Sequence, residues 1–559
     1  VVDSHRVSGF IVLSLIVLLG LLPPETRGES MAGCAALVVL LAVLQGRQVP
    51  VGAGHVALIG LLVLAWPLIV SAAAPGSAVV PLALGVVAVT AGVHASSVAG
   101  RLGKGLAVPL ALSATAVALA FYALAQKLWL LEARAERLAA VSGVPDRELV
   151  LIRLGQGRAF EPFATPAALG CYLAMVLPVT LGLATSTRGR GRWVFVTATG
   201  LLAAGLVSTM SVTAAAALVV AGAAGLVVRS RARRGLIVAS GLGLAVIVGV
   251  IALRGGGVID LSRWDHPWRL RAGNFRIATE VIRDNPWTGV GPGGYGEVFP
   301  QYRGPHDNET QHAHDVVLEL GAELGVVAGT IASLAFLVLF LGPVFRRHDV
   351  EPWKRGLAVG LAAFAIQNLA DFTAFLPSLL WLAALLRGLL VRPPSETAGS
   401  RRPAPAFVLG PTLAATFLAA AIAALAGLSW NSRYAARVAA ADGDLSAVKQ
   451  YAEQATRLAP WDVDSNLALA QAILSAGGTD GDANRRALGH AERAVALSPV
   501  RPAARATRAR ARLALGDAPG AWVDLREAAR LYPEREAYRL AAETVANGLP
   551  DLRAAPEEP

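Results

Sequence analysis

The residues able to do chemistry are concentrated between Arg269 and Gly329, the one long polar interval in an otherwise hydrophobic chain. Pro267 and Pro286 bracket a helix on which Arg269, Arg276 and Arg283 recur every seven residues and so share one face. Arg271 is rotated about 200° from Arg269, which lines it up with Trp268, Phe275 and Ile282 on the apolar face. A guanidinium there, next to lipid, suits an anionic group held in a forked, charge-assisted grip. His306, Asp307, Glu309, His312 and His314 follow. Histidines beside carboxylates admit a zinc or manganese site. The stronger expectation is a neutral imidazole, His314, that takes a proton from a hydroxyl at the membrane surface.

Asp315, Glu319 and Glu323 continue at four-residue spacing along the next helix, a carboxylate stripe at its outer end. Ionisable groups at membrane depth face a bundle interior or a wet cavity. Glu323 is thus a candidate to hold an arginine or a ligand hydroxyl, or to fix helix packing. Gly321, Gly325 and Gly329 share the interval and read as a small-residue stripe for close approach of another helix. The glycines from Gly289 to Gly296 fit G-x-G-x-x-G but follow a helix rather than a strand, which excludes dinucleotide binding. They read as a tight connector, with a phosphate-touching nest as the alternative.

The elements that must position these groups are membrane helices. Apolar residues make up 55% and charged residues 16% of 559, and the mean hydropathy is +0.54. The expected fold is all-α, a polytopic bundle of about 12–13 spans over residues 1–428, including runs at 54–73 and 234–253. The formal charge of +11 comes largely from arginines in short loops, which lipid topology explains better than nucleic acid does. Clusters at Arg188–Arg192, Arg229–Arg234, Arg346–Arg355 and Arg387–Arg402 fall in alternate loops. This places the N-terminus in the cytoplasm and 127–165, the large loop 254–314, the turn at Asp371 and everything after 429 outside. Arg158, just before the chain re-enters lipid past Pro162 and Pro166, is a second candidate for an anionic head group. Cys34 and Cys171 lie in apolar runs and offer neither a disulfide framework nor a metal site.

Trp268 to Tyr295, with Arg271, Phe275, Asp284-Asn285-Pro286 and the glycine turn, resembles the large outer loop of the O-antigen ligase and O-antigen polymerase superfamily. His312-Ala313-His314-Asp315 with Glu323-Leu324-Gly325 is similar to that family's histidine motif, in which an Asn usually stands at the position of Asp315. Asp371-Phe372 before Pro377 resembles a late family motif. The resemblance covers roughly residues 30–395. It implies metal-independent and cofactor-free transfer of a glycan from undecaprenyl diphosphate to a hydroxyl of a lipid, glycan or protein, at the outer face of a bacterial cytoplasmic membrane. It further implies that Arg271 binds the diphosphate and His314 deprotonates or orients the acceptor. Arg158, Arg269, Arg276, His312, Asp315, Glu323 and Asp371 complete the expected substrate-binding set. One departure is that Ser211-Val212-Thr213 carries no arginine where many relatives have Ser-Arg, so a second diphosphate contact falls to Arg158 or Arg276.

After the last span the composition turns to Ala, Arg, Asp and Glu. Ala455 to Pro460, Ala494 to Pro499 and Ala529 to Pro533 repeat the end of one unit, the last two 34 residues apart. That is a tetratricopeptide-like array over 429–549, expected to bind envelope or export proteins, with a disordered tail at 550–559. The alternative function is a non-enzymatic transporter or flippase component of a polysaccharide export complex, although no internal symmetry supports it.

Overall fold

The computed structural model describes residues 4–45, 69, 72–102, 105–141, 144, 147–227, 267–346, 351–391, 406–477 and 480–548. Among them the principal elements are α-helices. In chain order the first nine are α1 (Ser4–Leu21), α2 (Gly28–Gln45), α3 (Pro75–Leu102), α4 (Ala107–Ala125), α5 (Leu131–Ala140), α6 (Arg147–Gly155), α7 (Pro166–Ser186), α8 (Arg190–Ser208) and α9 (Val212–Val227). The next six are α10 (Pro267–Asp284), α11 (Tyr295–Tyr302), α12 (Val316–Phe340), α13 (Pro352–Gln367), α14 (Pro377–Leu389) and α15 (Ala406–Ala441). Six more, α16 (Leu445–Leu458), α17 (Val463–Gly477), α18 (Gly481–Leu497), α19 (Pro502–Ala514), α20 (Ala518–Leu531) and α21 (Glu536–Asn547), follow.

Among the described residues, seven stretches are long and apolar enough to cross a membrane: Gly28–Gln45, Pro75–Ala99, Ala107–Ala140, Pro166–Ser186, Arg190–Ser208, Val316–Phe340 and Gly410–Ala441. Arg6–Leu21, Val212–Leu226 and Pro377–Leu389 are shorter apolar helices. The chain is therefore a polytopic helical membrane protein. The expected span at 234–253, nearly all of that at 54–73, and residues 254–266 of the large loop lie outside the described residues.

α7 is the centre of the bundle. Thr165 caps it by accepting the Ala168 N–H, Pro166 enters its first turn, and its residues are buried almost throughout, between α4, α8, α9 and α13. A helix apolar on every side is stable only when surrounded in this way. α13 runs antiparallel to it. Gln367 Nε2 donates to the Ala167 carbonyl at one end, 3.1 Å away, while Gly182 meets the Pro352 and Trp353 backbone at the other. Arg188, just past the end of α7, and Lys354 and Arg355, in the first turn of α13, are at this second end. The chemistry-bearing loops gather at the first.

α15 holds 36 residues and is about 54 Å long. Residue 428, where composition changes, lies inside this continuous helix. Beyond it, Ser429 Oγ donates to the Ala455 carbonyl at 3.1 Å, and α16 to α21 pack each on the next. Their interfaces are small-residue seams, with Ala452, Ala455, Ala487, Ala494, Ala504 and Ala528 buried. Asp444, Asp480 and Asp517 cap α16, α18 and α20 through their side chains.

The six-helix stack rests on the polar end of the bundle. Glu297 of α11 is only 9% exposed and receives Arg501 Nη1 at 2.6 Å, Ser498 Oγ at 2.9 Å and Ser77 Oγ at 3.0 Å. Tyr532 donates its hydroxyl to Glu309 at 2.5 Å and also meets Arg303. Three parts of the chain therefore share one polar junction.

Candidate functional site

The site is built on a broken helix. In α12, Gly325 has φ 79° and ψ 172°, a conformation that is essentially glycine's own. The break frees backbone groups, and the turn after α10 takes them. Val290 N–H donates to the Ala322 carbonyl and Gly291 N–H to the Glu323 carbonyl, each at 2.9 Å, while Val326 N–H donates to the Pro286 carbonyl at 2.7 Å. The turn approaches so closely that a Cβ on Gly289, which has φ 64°, would lie 2.3 Å from the Glu323 carbonyl carbon. This is the purpose of the glycine-rich turn.

The break changes the expected small-residue stripe at Gly325 alone. Gly321 packs against Ile282 of α10, where a Cβ would lie 3.0 Å from its Cδ1, and Gly329 packs against Gly321 itself. The chain folds back at Gly325, and a Cβ on Gly329 would sit 2.7 Å from Gly321 Cα. Glu323, buried, faces the backbone N–H groups of Gly293 and Tyr295 and so fastens the outer loop to the break.

Arg271 projects from α10 as its helical phase requires. Its Cζ lies 5.3 Å from the Trp268 ring centre, its Nε donates to the Ala370 carbonyl at 3.0 Å, and Nη2 stands 3.8 Å from Asp371 Oδ2. Asp371 is 1% exposed and accepts the Thr213 hydroxyl at 3.1 Å and the Phe372 N–H at 2.9 Å. Burial pushes its carboxyl above the ordinary value, against the pull of Arg271, those two donors and Arg158. Arg158 Nε donates to the Thr209 carbonyl at 3.1 Å, at the turn between α8 and α9. Two guanidiniums thus act on one carboxylate, which leaves a net positive charge for an anionic ligand.

Of the two arginines considered for the place before Thr213, the structure brings Arg158 there. Arg276 pairs with Glu280 Oε1 at 2.8 Å and Asp307 Oδ2 at 2.7 Å, on the face of α10 turned from Asp371. Arg269 is exposed on the same face. Their geometry serves the outer loop rather than the Asp371 centre.

The histidine loop lies beside Arg271. Asp315 caps α12, its Oδ1 accepting the Val317 and Leu318 N–H groups at 2.8 and 2.9 Å. Val316 N–H donates to the Asn368 carbonyl at 2.8 Å. These bonds hold His314 at φ 59°, a backbone state unusual for a residue with a side chain. His312 Nδ1 stands 2.6 Å from Glu319 Oε1, and the Ala313 N–H donates to Glu319 Oε2 at 3.0 Å. Asp315 and Glu319 are therefore fixed by the loop they support.

Phe372 separates the two histidines. The His312 ring stacks on it at 4.8 Å and 8° and on Phe375 at 5.4 Å and 22°, whereas His314 meets Phe372 edge-on at 4.8 Å and 85°. The environments diverge accordingly. Burial works against a charged His312, but Glu319 and Asp371 outweigh it and raise its pKa above the ordinary value. Burial, then Arg271 and His312, push His314 down to about 3. His314 is thus a neutral imidazole next to a guanidinium, and its buried Nδ1 has no hydrogen-bond partner among the described residues. Such a group can accept a proton once an anion offsets Arg271. Thr213, Phe372, Phe375 and Glu319 are additions to the expected set. Glu319, in the carboxylate stripe, and Phe372, in the Asp371-Phe372 pair, carried a signal in sequence. His306 is exposed, and among the described residues no three His, Cys, Asp or Glu side chains converge as a metal-binding group.

The fold and site define an integral membrane protein with paired arginines and a buried histidine at one polar end. Residues 197–333 match the family model described as O-antigen ligase, a stretch holding Arg271, His312, His314, Asp315 and Glu323 but neither Arg158 nor Asp371. This match supports glycan transfer of O-antigen ligase type. A search of curated proteins finds no match to the chain.

Proposed function

We propose that the protein transfers a glycan from undecaprenyl diphosphate to a hydroxyl acceptor at the outer face of a cytoplasmic membrane. The observation that carries this is the contact of Arg271 with Asp371 beside a neutral, buried His314. The acceptor O–H gives its proton to His314, its oxygen bonds to the anomeric carbon, and the bond from that carbon to the diphosphate oxygen breaks. The electron pair leaves with undecaprenyl diphosphate, whose charge Arg271, aided by Arg158, stabilises. Burial is the main cause of the depression of His314, and the diphosphate bound next to Arg271 offsets the guanidinium's share of it, so donor binding makes the imidazole a better base.

Asp371 orients Arg271, and Phe372 fixes the His314 ring. Glu323 and Arg276 hold the outer loop, and Asp315 with Glu319 holds the histidine loop; Arg269 is placed at the rim, towards lipid head groups. The tetratricopeptide-like stack is outside the membrane, where its exposed helices are available to envelope or export proteins. The test is purified protein supplied with an undecaprenyl-diphosphate oligosaccharide. Arg271→Lys keeps the charge but loses the fork, and is expected to lower kcat/KM by about tenfold or more; wild-type kinetics in this variant would sink the assignment.

A further inference from the structure

A cavity of about 1180 Å³ runs beside the histidine loop, larger than an ordinary small-ligand pocket. Its lower part is an apolar slot along α12, floored by Ala328, Ala332 and Ala335 and flanked by Leu380 of α14. Ile331, also in its wall, is 64% exposed on the side of α12 that faces lipid, so the slot opens sideways to the bilayer. The upper part is polar, lined by His312 and Glu319 and by Arg535, the cap residue before α21, and Tyr538 of α21. Arg535 lies over the Tyr538 ring, its Cζ 5.2 Å from the centre. The bond from Tyr532 to Glu309 ties this wall to the outer loop.

A slot open to hydrocarbon below a chamber of aromatic, arginine and carboxylate groups matches one kind of molecule. A sugar ring offers C–H faces to an aromatic ring and hydroxyls to guanidinium and carboxylate. The apolar lining of the slot suits a lipid chain. We propose that this cavity binds a lipid-anchored glycan, and that the C-terminal helical stack is part of the substrate site, with Tyr538 as a stacking surface and Arg535 as a donor to sugar hydroxyls. Arg271 and His314 are not in the cavity wall, whereas His312 is. The donor's diphosphate at Arg271 therefore lies outside the cavity, and the glycan within it is the acceptor, whose reacting hydroxyl extends past the edge of Phe372 to reach His314. This deepens the glycan-transfer reading and rests on it for the acceptor role, though not for binding.

The binding test uses the full chain in native membranes with a photo-crosslinking phenylalanine at position 538, the probe being the cells' own membrane glycolipids. The control position is Val523, which is 55% exposed and outside the cavity. Irradiation at 538 is expected to give an adduct whose carbohydrate stain is destroyed by periodate, with none at 523. An adduct of protein alone, or no adduct, overturns the proposal. The role test uses steady-state kinetics. Tyr538→Ala is expected to raise the acceptor KM by about tenfold with little change in kcat, while Tyr538→Phe, which keeps the ring, stays near wild type. A rise confined to the donor KM overturns the acceptor assignment, and unchanged KM values overturn the site. Absence of any transfer by wild type would refute the proposed function, while the crosslink still decides whether a glycan binds here.

Discussion

Replacing Arg501 with methionine removes the cation that Glu297 faces across the junction between the helical stack and the outer loop. Glu297 is 9% and Arg501 28% exposed, and their Oε1 and Nη1 are 2.6 Å apart. Breaking a fully buried pair costs about 3–5 kcal/mol and a surface pair about 0–1. The partial exposure of Arg501, and the Ser77 and Ser498 hydroxyls that stay on Glu297, place this pair between the two, at about 2–3 kcal/mol. Asp464, the other partner of Arg501, is 42% exposed and keeps Arg433 at 2.9 Å, so it adds little. The loss should favour local opening of the junction by about 30- to 150-fold. Hydrogen exchange of the purified protein reads it directly, as faster exchange in peptides covering α11 and the start of α19, with α7 unchanged. Adding Glu297→Gln, which removes the stranded charge and keeps a hydroxyl acceptor, should restore most of the protection. A change below about threefold in the single variant, or a double variant no better than it, would refute the reasoning.

Three further outcomes follow from the site. Gly325→Ala forces a side chain into φ 79° with its Cβ 2.5 Å from the Trp287 carbonyl oxygen; folded protein recovered from membranes should fall, by a penalty of about 1–3 kcal/mol for the backbone alone, and wild-type recovery would contradict the broken helix. His314 is depressed to about 3, below its unfolded value, so its neutral form persists as pH falls past 6 and kcat/KM should show no acid limb near 6.5 from it; a limb there that remains in His312→Gln would be inconsistent with the buried site. The folded pKa of His312 is raised, so its pairing with Glu319 stabilises the protein below the unfolded value and the gain is lost as pH rises through the folded one. The drop in Tm caused by Glu319→Gln should accordingly be larger at pH 6 than at pH 9, and an equal drop would show that the backbone bond to Ala313 is all that Glu319 supplies.

Helical phase alone separated Arg271 from Arg269 and Arg276, because two residues turn a helix by about 200° and seven return nearly to the start. The structure keeps that separation, with Arg271 at Asp371 and Arg276 at Asp307. The apolar runs and composition likewise predicted a helical membrane bundle. The break at Gly325 was not legible. A glycine within an apolar helical run looks the same whether it admits a neighbouring helix or ends a helical segment, and only the partner turn at Pro286 to Gly291 decides. Phe375 was hidden for a similar reason, since an aromatic residue beside a span reads as core until the rings stacked on it are known; Phe372 was marked by its place beside Asp371, but not as the ring between the histidines. The repeat spacing announced a helical array, but its place on the outer loop depends on Glu297, Ser498 and Arg501, which are distant in sequence and ordinary in type.

The most direct test of the central claim is release of undecaprenyl diphosphate by purified protein given the lipid-linked oligosaccharide and a hydroxyl acceptor, comparing wild type with His314→Ala. Release by wild type, lost in a variant of equal abundance and unchanged melting, is the predicted result. Undiminished release by His314→Ala would contradict the assignment of the buried imidazole as the base.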